Sequence, residues 1–479
     1  MANSIYWYDY ETFGTDPRYD RLAQFAGLRT DEELNVIGDP LVMYCKPADD
    51  MLPDPMACLV TGITPQKALS EGLIEAEFIA AIHQEFSRPG TCVAGYNNIR
   101  FDDEFTRYTL YRNFYNAYSH EWQHGNSRWD IIDMVRLTRA LRPEGIEWPF
   151  DDQGKPSNRL ELLTVANGIS HESAHDAMSD VYATIAIARL IREKQPRLYD
   201  YVYQHRRKDA VAKLINLRTR EALLHVSAKY STARNSIAIV LPICQHPVNK
   251  NGVIVYDLAS DPEQFIASEV DEIAASIFTP ASELPDDVAR VPLKTVHINK
   301  CPVVVPLKTM NEATARRLGI DVERQLQHRD QLLQHIASLE KKTRQVFEPQ
   351  DFPALDDPDA QLYSGGFFSN ADYGRMQHIQ QSTPAELAGL EQNYDDSRIP
   401  EMLFRYRARN YPDTLGSEEK RQWDEYRRQK FTDPALGIRT INQVKAGIDA
   451  LRTAPDTTGS QLAVLDELEK YLQMPAISV

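Results

Sequence analysis

Asp9 and Glu11 constrain this chain more than any other pair of residues. They sit in Ser4-Ile5-Tyr6-Trp7-Tyr8-Asp9-Tyr10-Glu11-Thr12-Phe13-Gly14, a run that is otherwise aromatic and apolar. Such a run predicts a buried strand. Residues two apart on a strand point to the same face, so the two carboxylates are aimed together from a core element. Burying two negative charges side by side is costly unless a cation neutralises them. Hard oxygen ligands of this kind suit Mg2+ or Mn2+. The plainer alternative is an Asp and a Glu at a strand end that simply face solvent.

Further acids and a histidine follow in a fixed order. Val93-Ala94-Gly95-Tyr96-Asn97-Asn98 leads into Ile99-Arg100-Phe101-Asp102-Asp103-Glu104. Residues 92 to 96 predict a second buried strand, with Asp102 opening the next helix. Ala174-His175-Asp176-Ala177-Met178-Ser179-Asp180 then runs into an Ala- and Ile-rich helix. Asp180 falls on its first turns and His175 just before it. Acids in a first helical turn also serve as caps, which is the ordinary role open to Asp176 and Asp180. A surface loop is the ordinary fate of a lone histidine such as His175.

Asp-x-Glu on a strand, then Asn-x-x-Phe-Asp, then His-Asp-Ala-x-x-Asp resembles the DEDDh family of 3′→5′ exonucleases. The resemblance implies a ribonuclease-H-like fold. It further implies two bound metal ions, Mg2+ with Mn2+ able to substitute, held by Asp9, Glu11, Asp102 and Asp180. His175 would then handle the proton of the attacking water. Gly95-Tyr96-Asn97-Asn98-Ile99-Arg100-Phe101-Asp102-Asp103-Glu104, Leu141-Arg142-Pro143-Glu144-Gly145-Ile146, Val296-His297-Ile298-Asn299-Lys300-Cys301-Pro302 and Tyr406-Arg407-Ala408-Arg409-Asn410 resemble the bacterial exonuclease I branch, which acts on single-stranded DNA. These segments span nearly the whole chain, and the last three lie outside the catalytic motifs.

The 479 residues are too many for one core, and two to four domains are expected. No apolar run approaches a membrane span. The start Met1-Ala2-Asn3-Ser4 leads straight into a strand without a signal-peptide pattern. The five cysteines, Cys45, Cys58, Cys92, Cys244 and Cys301, form no C-x-x-C pair and suggest neither a zinc site nor a disulfide framework. A reducing cytoplasm is the expected home and no membrane partner is expected. The net charge of −16 argues against a general nucleic-acid sponge but leaves room for a basic track. From Arg197 to Arg234 there are nine basic and three acidic residues, a local excess of positive charge just after the catalytic motifs.

The fold class is therefore α/β multidomain. Residues 1–196 form the exonuclease domain, with strands expected near 4–10, 21–29, 35–46 and 92–96. Helices are expected near 75–87, 102–117, 130–140, 160–167 and 176–194. Residues 197–346 begin helical and become strand-rich, which by itself says small β domain; the resemblance implies an SH3-like β-barrel. Pro349, Pro353 and Pro358 among acids mark a linker, and 359–479 are a helical C-terminal domain that includes the charged segment Ser417 to Lys430. A monomer is expected.

Single strands are held by aromatic platforms along a basic groove. Arg107 to Asp130 carries seven aromatics in 24 residues, about three times the chain average of 9%. Tyr111, Phe114 and Tyr115 are expected in the core, while Tyr118 and Trp122 are stacking candidates, with Arg107 and Arg128 beside them. Arg136 and Arg159 are further substrate contacts, the latter on the resemblance. Glu11 is placed to contact the 3′-terminal hydroxyl, and Thr12 and Phe13 the terminal nucleotide; Phe13 as plain core is the equal alternative. The resemblance also implies docking of the acidic, apolar-ended tail of single-stranded DNA-binding protein, with Arg142 and Tyr201 as candidates. The ordinary alternatives there are an Arg142–Glu144 ion pair and packing of Tyr201. Two other functions compete: a DEDDh exonuclease acting on RNA or short oligonucleotides, and a catalytically idle nucleic-acid-binding protein on the same fold.

Overall fold

The structure is a computed structural model, and it describes residues 3–170, 176–280, 282–284, 290–349, 355–390, 393–475 and 477. His175 and part of the Pro349–Pro358 linker lie outside the described residues. The chain divides into two compact units that do not follow chain order. The first comprises Met1–Ser127, His171–Thr184 and Pro353–Val479; the second comprises Arg128–Ser170 and Ile185–Phe352.

The first unit is built on a sheet that contains the strands β1 (Ser4–Thr12), β2 (Leu22–Thr30), β3 (Leu41–Tyr44) and β4 (Thr91–Gly95), in the order β3-β2-β1-β4. β2 runs antiparallel to β1, with Asp9 opposite Ala26 and Glu11 opposite Gln24. β4 runs parallel to β1, with Ser4 opposite Thr91 and Trp7 opposite Ala94. The alternation of β1 sorts its residues into two faces. Tyr6, Tyr8 and Tyr10 enter an aromatic cluster with Phe25, Phe78, Phe86 and Phe105. Asp9 and Glu11 leave from the other face.

Two sequence expectations are corrected here. The strand foreseen at 35–46 is reduced to Leu41–Tyr44, because Gly38 at φ +105° and Pro40 interrupt it; Val36 keeps a single bridge to Thr30. The helix foreseen over 102–117 ends at Arg112, where Asn113 caps it and Phe114 turns left-handed at φ +65°.

C-terminal helices complete this unit: Arg398–Asn410, Ser417–Thr432, Ile441–Arg452 and Gly459–Leu472. Their apolar side chains Phe431, Val444, Ile448, Leu465 and Leu468 share one core with Phe13, Ala23, Met51, Cys58 and Ile63. Beside that core lies a buried ion network. Asp50 accepts from Arg409 at 2.9 Å and Lys430 at 2.8 Å, Glu75 pairs with Arg112 at 3.1 Å, and Asp359 pairs with Arg409 at 2.6 Å.

A further strand, β5 (Ser127–Asp130), starts where the first unit ends. The second unit holds an antiparallel five-stranded sheet of β6 (Leu223–Val226), β7 (Ile237–Gln245), β8 (Gly252–Asp257), β9 (Leu293–His297) and β10 (Val304–Pro306), ordered β10-β6-β7-β8-β9. Its inner face buries Leu223, Ala238, Val240, Val253, Val255 and Val296. Pro242 sits in a central strand, where it would break the ladder; a register shift between Pro242 and Cys244 accommodates it. The helices Val322–Gln334 and Ile336–Val346, not foreseen from the sequence, close this region. Among the described residues no helix is long and apolar enough to cross a membrane.

Candidate active site

The site lies at the C-terminal ends of β1 and β4, the usual place for a ligand in a sheet with parallel neighbours. Asp9 and Glu11 come from the last four residues of β1. A register shift between Glu11 and Thr12 ends the regular ladder immediately after them. After β4, Gly95 lets the chain fold tightly: a Cβ there would lie 2.9 Å from the Asn98 side chain and 3.0 Å from the Tyr8 carbonyl. Asn97 then turns left-handed, and Asp102 opens the helix Asp102–Arg112. Asp180 comes from the first turn of the helix Ala177–Lys194, capped by Asp176, whose carboxylate accepts from the Ser179 amide at 3.2 Å.

Ligand atoms of Asp9, Glu11 and Asp180 all lie within 4.8 Å of one another. Their electrostatics are severe. Burial, then the charges of Asp102, Glu11, Asp180 and Asp176, drive the Asp9 carboxyl well above its usual range. Burial, then Asp180, Asp102 and Asp176, push Glu11 up to about 9. Among the described residues no Lys, Arg or His pairs with either. An all-carboxylate donor set with no protein counter-charge fits hard divalent cations. The Asp176 cap foreseen from the sequence is present, and its charge also bears on both acids.

The opposite face braces this one. Tyr8 donates to Asp103 at 2.5 Å, Asn98 donates to the same carboxylate at 3.3 Å, and Thr106 donates to the Asp102 carbonyl at 3.0 Å. The sequence motifs do not mark Asp103 as a partner of Tyr8. The signal available was the even-numbered tyrosines of β1, which need polar partners when buried.

Three family descriptions match this chain: Exonuclease at residues 6–188, Exonuclease I SH3-like domain at 206–349, and Exonuclease I C-terminal domain at 356–474. Exodeoxyribonuclease I of Escherichia coli (strain K12) is 49% identical over 436 residues, covering 91% of each chain. The chain belongs to the exonuclease I family. Its exonuclease domain is ribonuclease-H-like and of the DEDDh type, and the other two are the SH3-like and C-terminal domains of exonuclease I. A solved zinc-bound complex of E. coli exonuclease I with single-stranded DNA is 45% identical with a TM-score of 0.94, covering 99% of both chains. A solved structure of SSB/exonuclease I with the inhibitor CFAM is 44% identical with a TM-score of 0.90, again covering 99% of both. With this family and these acids, dependence on a divalent metal follows.

The remaining sequence candidates have varied surroundings. In the first unit Phe13 is 1% exposed and packs in the core, so its ring offers no face to a nucleotide: the plain-core alternative holds, because the C-terminal helices cover it. Thr12 is buried and donates to the Gly14 carbonyl at 2.6 Å. Arg107 is buried and engaged, with Glu121 at 2.7 Å, Glu104 at 3.0 Å and the Tyr363 hydroxyl at 3.1 Å. Its guanidinium lies 5.3 Å from the Tyr118 ring centroid. Trp122 is 64% exposed, an open stacking surface. Tyr111 and Phe114 are core as expected, and Tyr115 packs partly buried against the aromatic cluster.

In the second unit Arg128 is buried and donates to the Asn299 carbonyl at 3.0 Å. Arg136 pairs with Asp133 at 2.6 Å. Arg159 has a side chain 67% exposed beside Glu161. Arg142 donates to the Thr309 carbonyl at 3.1 Å, and not to Glu144 as its local alternative had it. Tyr201 donates to the Val304 carbonyl at 3.1 Å and stacks on His205 at 4.0 Å.

Proposed function

We propose that this chain is a 3′→5′ exodeoxyribonuclease that degrades single-stranded DNA to 5′-mononucleotides. The observation that carries the reading is the convergence of Asp9, Glu11 and Asp180 in an exonuclease I frame. The neighbours described as single-stranded DNA complexes support this substrate over RNA or short oligonucleotides. Asp9, Glu11, Asp102 and Asp180 would hold two Mg2+ ions, for which Mn2+ can substitute. Such ions acidify a water and neutralise charge on the phosphate and on the departing oxygen.

The protein's own groups do the rest. His175 accepts the proton of the attacking water, the general-base task that imidazole performs most often in enzymes. Glu11 also receives the 3′-terminal hydroxyl, and Thr12 lines the terminal nucleotide. Arg159, its side chain 67% exposed beside Glu161, reaches the phosphate backbone. Trp122 and Tyr118 stack bases; Arg107, held by Glu104 and Glu121, backs the Tyr118 ring rather than meeting the strand, and Arg128 and Arg136 are the proposed basic contacts. His175→Ala should slow hydrolysis on the order of 10²–10⁴-fold with strand affinity nearly unchanged.

Digestion of 3′-labelled and 5′-labelled single strands in Mg2+ tests the reading. Immediate release of 3′ label as mononucleotide, with the 5′ label kept in shortening strands, is expected; blunt duplex should resist. Immediate 5′ release, or equal digestion of a matched RNA strand, would overturn it.

The acidic tail of single-stranded DNA-binding protein is the proposed partner, received near Arg142 and Tyr201. An SSB/exonuclease I structure among the neighbours supports it. Calorimetric titration of a tail peptide should show binding that weakens with salt and with Arg142→Ala. The chain is proposed to act as a monomer in the cytoplasm.

A further inference from the structure

Arg439 is remote from the acids in sequence, yet it touches both segments that frame the residue after Thr12. It follows Gly437, which turns left-handed, and precedes the helix Ile441–Arg452. Its Nη1 donates to Asp20 Oδ1 at 2.8 Å and to the Leu52 carbonyl at 3.0 Å, and its Nη2 to Asp54 Oδ2 at 2.9 Å.

Two of these acceptor residues, Asp20 and Asp54, also bond the chain just past Glu11. Asp20 Oδ2 accepts the Asp16 amide at 2.9 Å, and the Asp20 amide returns to the Asp16 carbonyl at 2.7 Å. The same carboxylate lies flat against Gly14, where a Cβ would meet it at 2.2 Å. Asp54 donates its amide to the Phe13 carbonyl at 2.8 Å, and Phe13 donates its own to the Arg21 carbonyl at 2.9 Å. The loop from Thr12 to Asp20 is thus held on one side by Asp20 and on the other by Asp54, and one guanidinium ties the two together. Asp20 is 4% exposed. The Arg439 side chain is 22% exposed, and it lines a cavity of about 100 Å³ together with Asp20, Asp50, Lys430 and Ile438.

We infer that Arg439 is a positioning residue for hydrolysis: with Asp20 and Asp54 it fixes the Thr12–Asp20 loop, and so the placement of Glu11 and Thr12 against the 3′-terminal nucleotide. This rests on the proposed function for the identity of what the loop positions. It assigns to a segment of the C-terminal domain a direct part in the geometry of the catalytic acids. A misplacement of an ångström at a reacting centre can cost on the order of a hundredfold in rate.

The test uses the full chain with Arg439→Met, Arg439→Lys and Gly14→Ala. Gly14→Ala pushes on the Asp20 carboxylate without altering the C-terminal segment, so it decides the matter if Arg439→Met does not fold. Rate per folded molecule on single-stranded DNA, strand affinity in EDTA and amide hydrogen exchange of residues 12–20 are measured. Arg439→Met and Gly14→Ala should lower kcat about tenfold or more, with KM and EDTA affinity within about twofold. The amides of Phe13, Asp16 and Asp20 should exchange faster while those of Ile5–Tyr8 do not. Arg439→Lys, which can keep one carboxylate, should fall between. A lowered melting temperature with wild-type kcat and wild-type exchange in the loop would overturn the inference. If the wild type itself fails to cut single-stranded DNA, the proposed function falls, and the exchange arm still decides the clamp.

Discussion

The first unit buries two sets of carboxylates and treats them in opposite ways. Asp50, Glu75 and Asp359 lie among Arg21, Arg112, Arg405, Arg409 and Lys430. Burial alone would raise all three, but the cations outweigh it: Arg409, Lys430 and Arg21 hold Asp50 well below the usual carboxylate range, and Arg112 and Arg21 lower Glu75. Arg409 and Arg405 do the same for Asp359. Asp9, partly buried, and Glu11, buried, have among the described residues only further acids as charged neighbours, and both are pushed up. One set is neutralised from within the chain and joins domains. The other is left for cations from solution. Buried acids alone do not mark a site; buried acids without a protein counter-charge do.

Asp180→Ala gives the largest expected effect. Hydrolysis in Mg2+ should fall to background while the far-UV spectrum and fold persist, because the role proposed for the residue is to hold metal and not to pack a core. Near-normal turnover would break the distinction between the two sets.

Next comes Asp50→Ala. It leaves Arg409 and Lys430 buried without their shared partner, a change that typically costs about 3–5 kcal/mol. Urea unfolding should show this loss. A cost near zero would mean the ion network is not what fixes the C-terminal helices to the sheet.

The pH dependence separates the sets more subtly. Asp50, Glu75 and Asp359 have lowered folded values, so their contribution is present above the unfolded carboxyl range near 4 and is lost as pH falls below it. Glu11 has the opposite sign. In EDTA its ionisation is harder in the folded chain, so stability should decline as pH rises from about 4.5 toward about 9. Added Mg2+ should flatten that decline and release protons on binding, measurable by calorimetry in buffers of different ionisation enthalpy.

The acids that the structure brings together were legible because metal-binding chemistry calls for those residue types at short spacings: Asp9 and Glu11 are two apart on one strand face. β1, β2 and β4 were legible from their aromatic and apolar runs. The ion network was not, because its partners are far apart in sequence; Asp50 and Arg409 are separated by 359 residues. Arg439 and Asp20, 419 apart, were hidden for the same reason. Arg107 looked like a free basic contact because the sequence could not show Glu121 folding back on it. Phe13 follows the acids directly, but which side of it the C-terminal helices cover is a tertiary fact.

Thermal unfolding of wild type, Asp9→Asn and Asp50→Asn, each in EDTA and in Mg2+ at neutral pH, tests the central contrast most directly. In EDTA, Asp9→Asn should melt above wild type, since it removes a carboxyl that must take up a proton, or else carry a repelled charge, on folding, and Asp50→Asn well below it. Mg2+ should raise the melting temperature of wild type and Asp50→Asn but leave Asp9→Asn nearly unmoved. If Asp9→Asn instead melts below wild type in EDTA and still gains as much from Mg2+, the acids of β1 are ordinary structural carboxylates and the account is wrong.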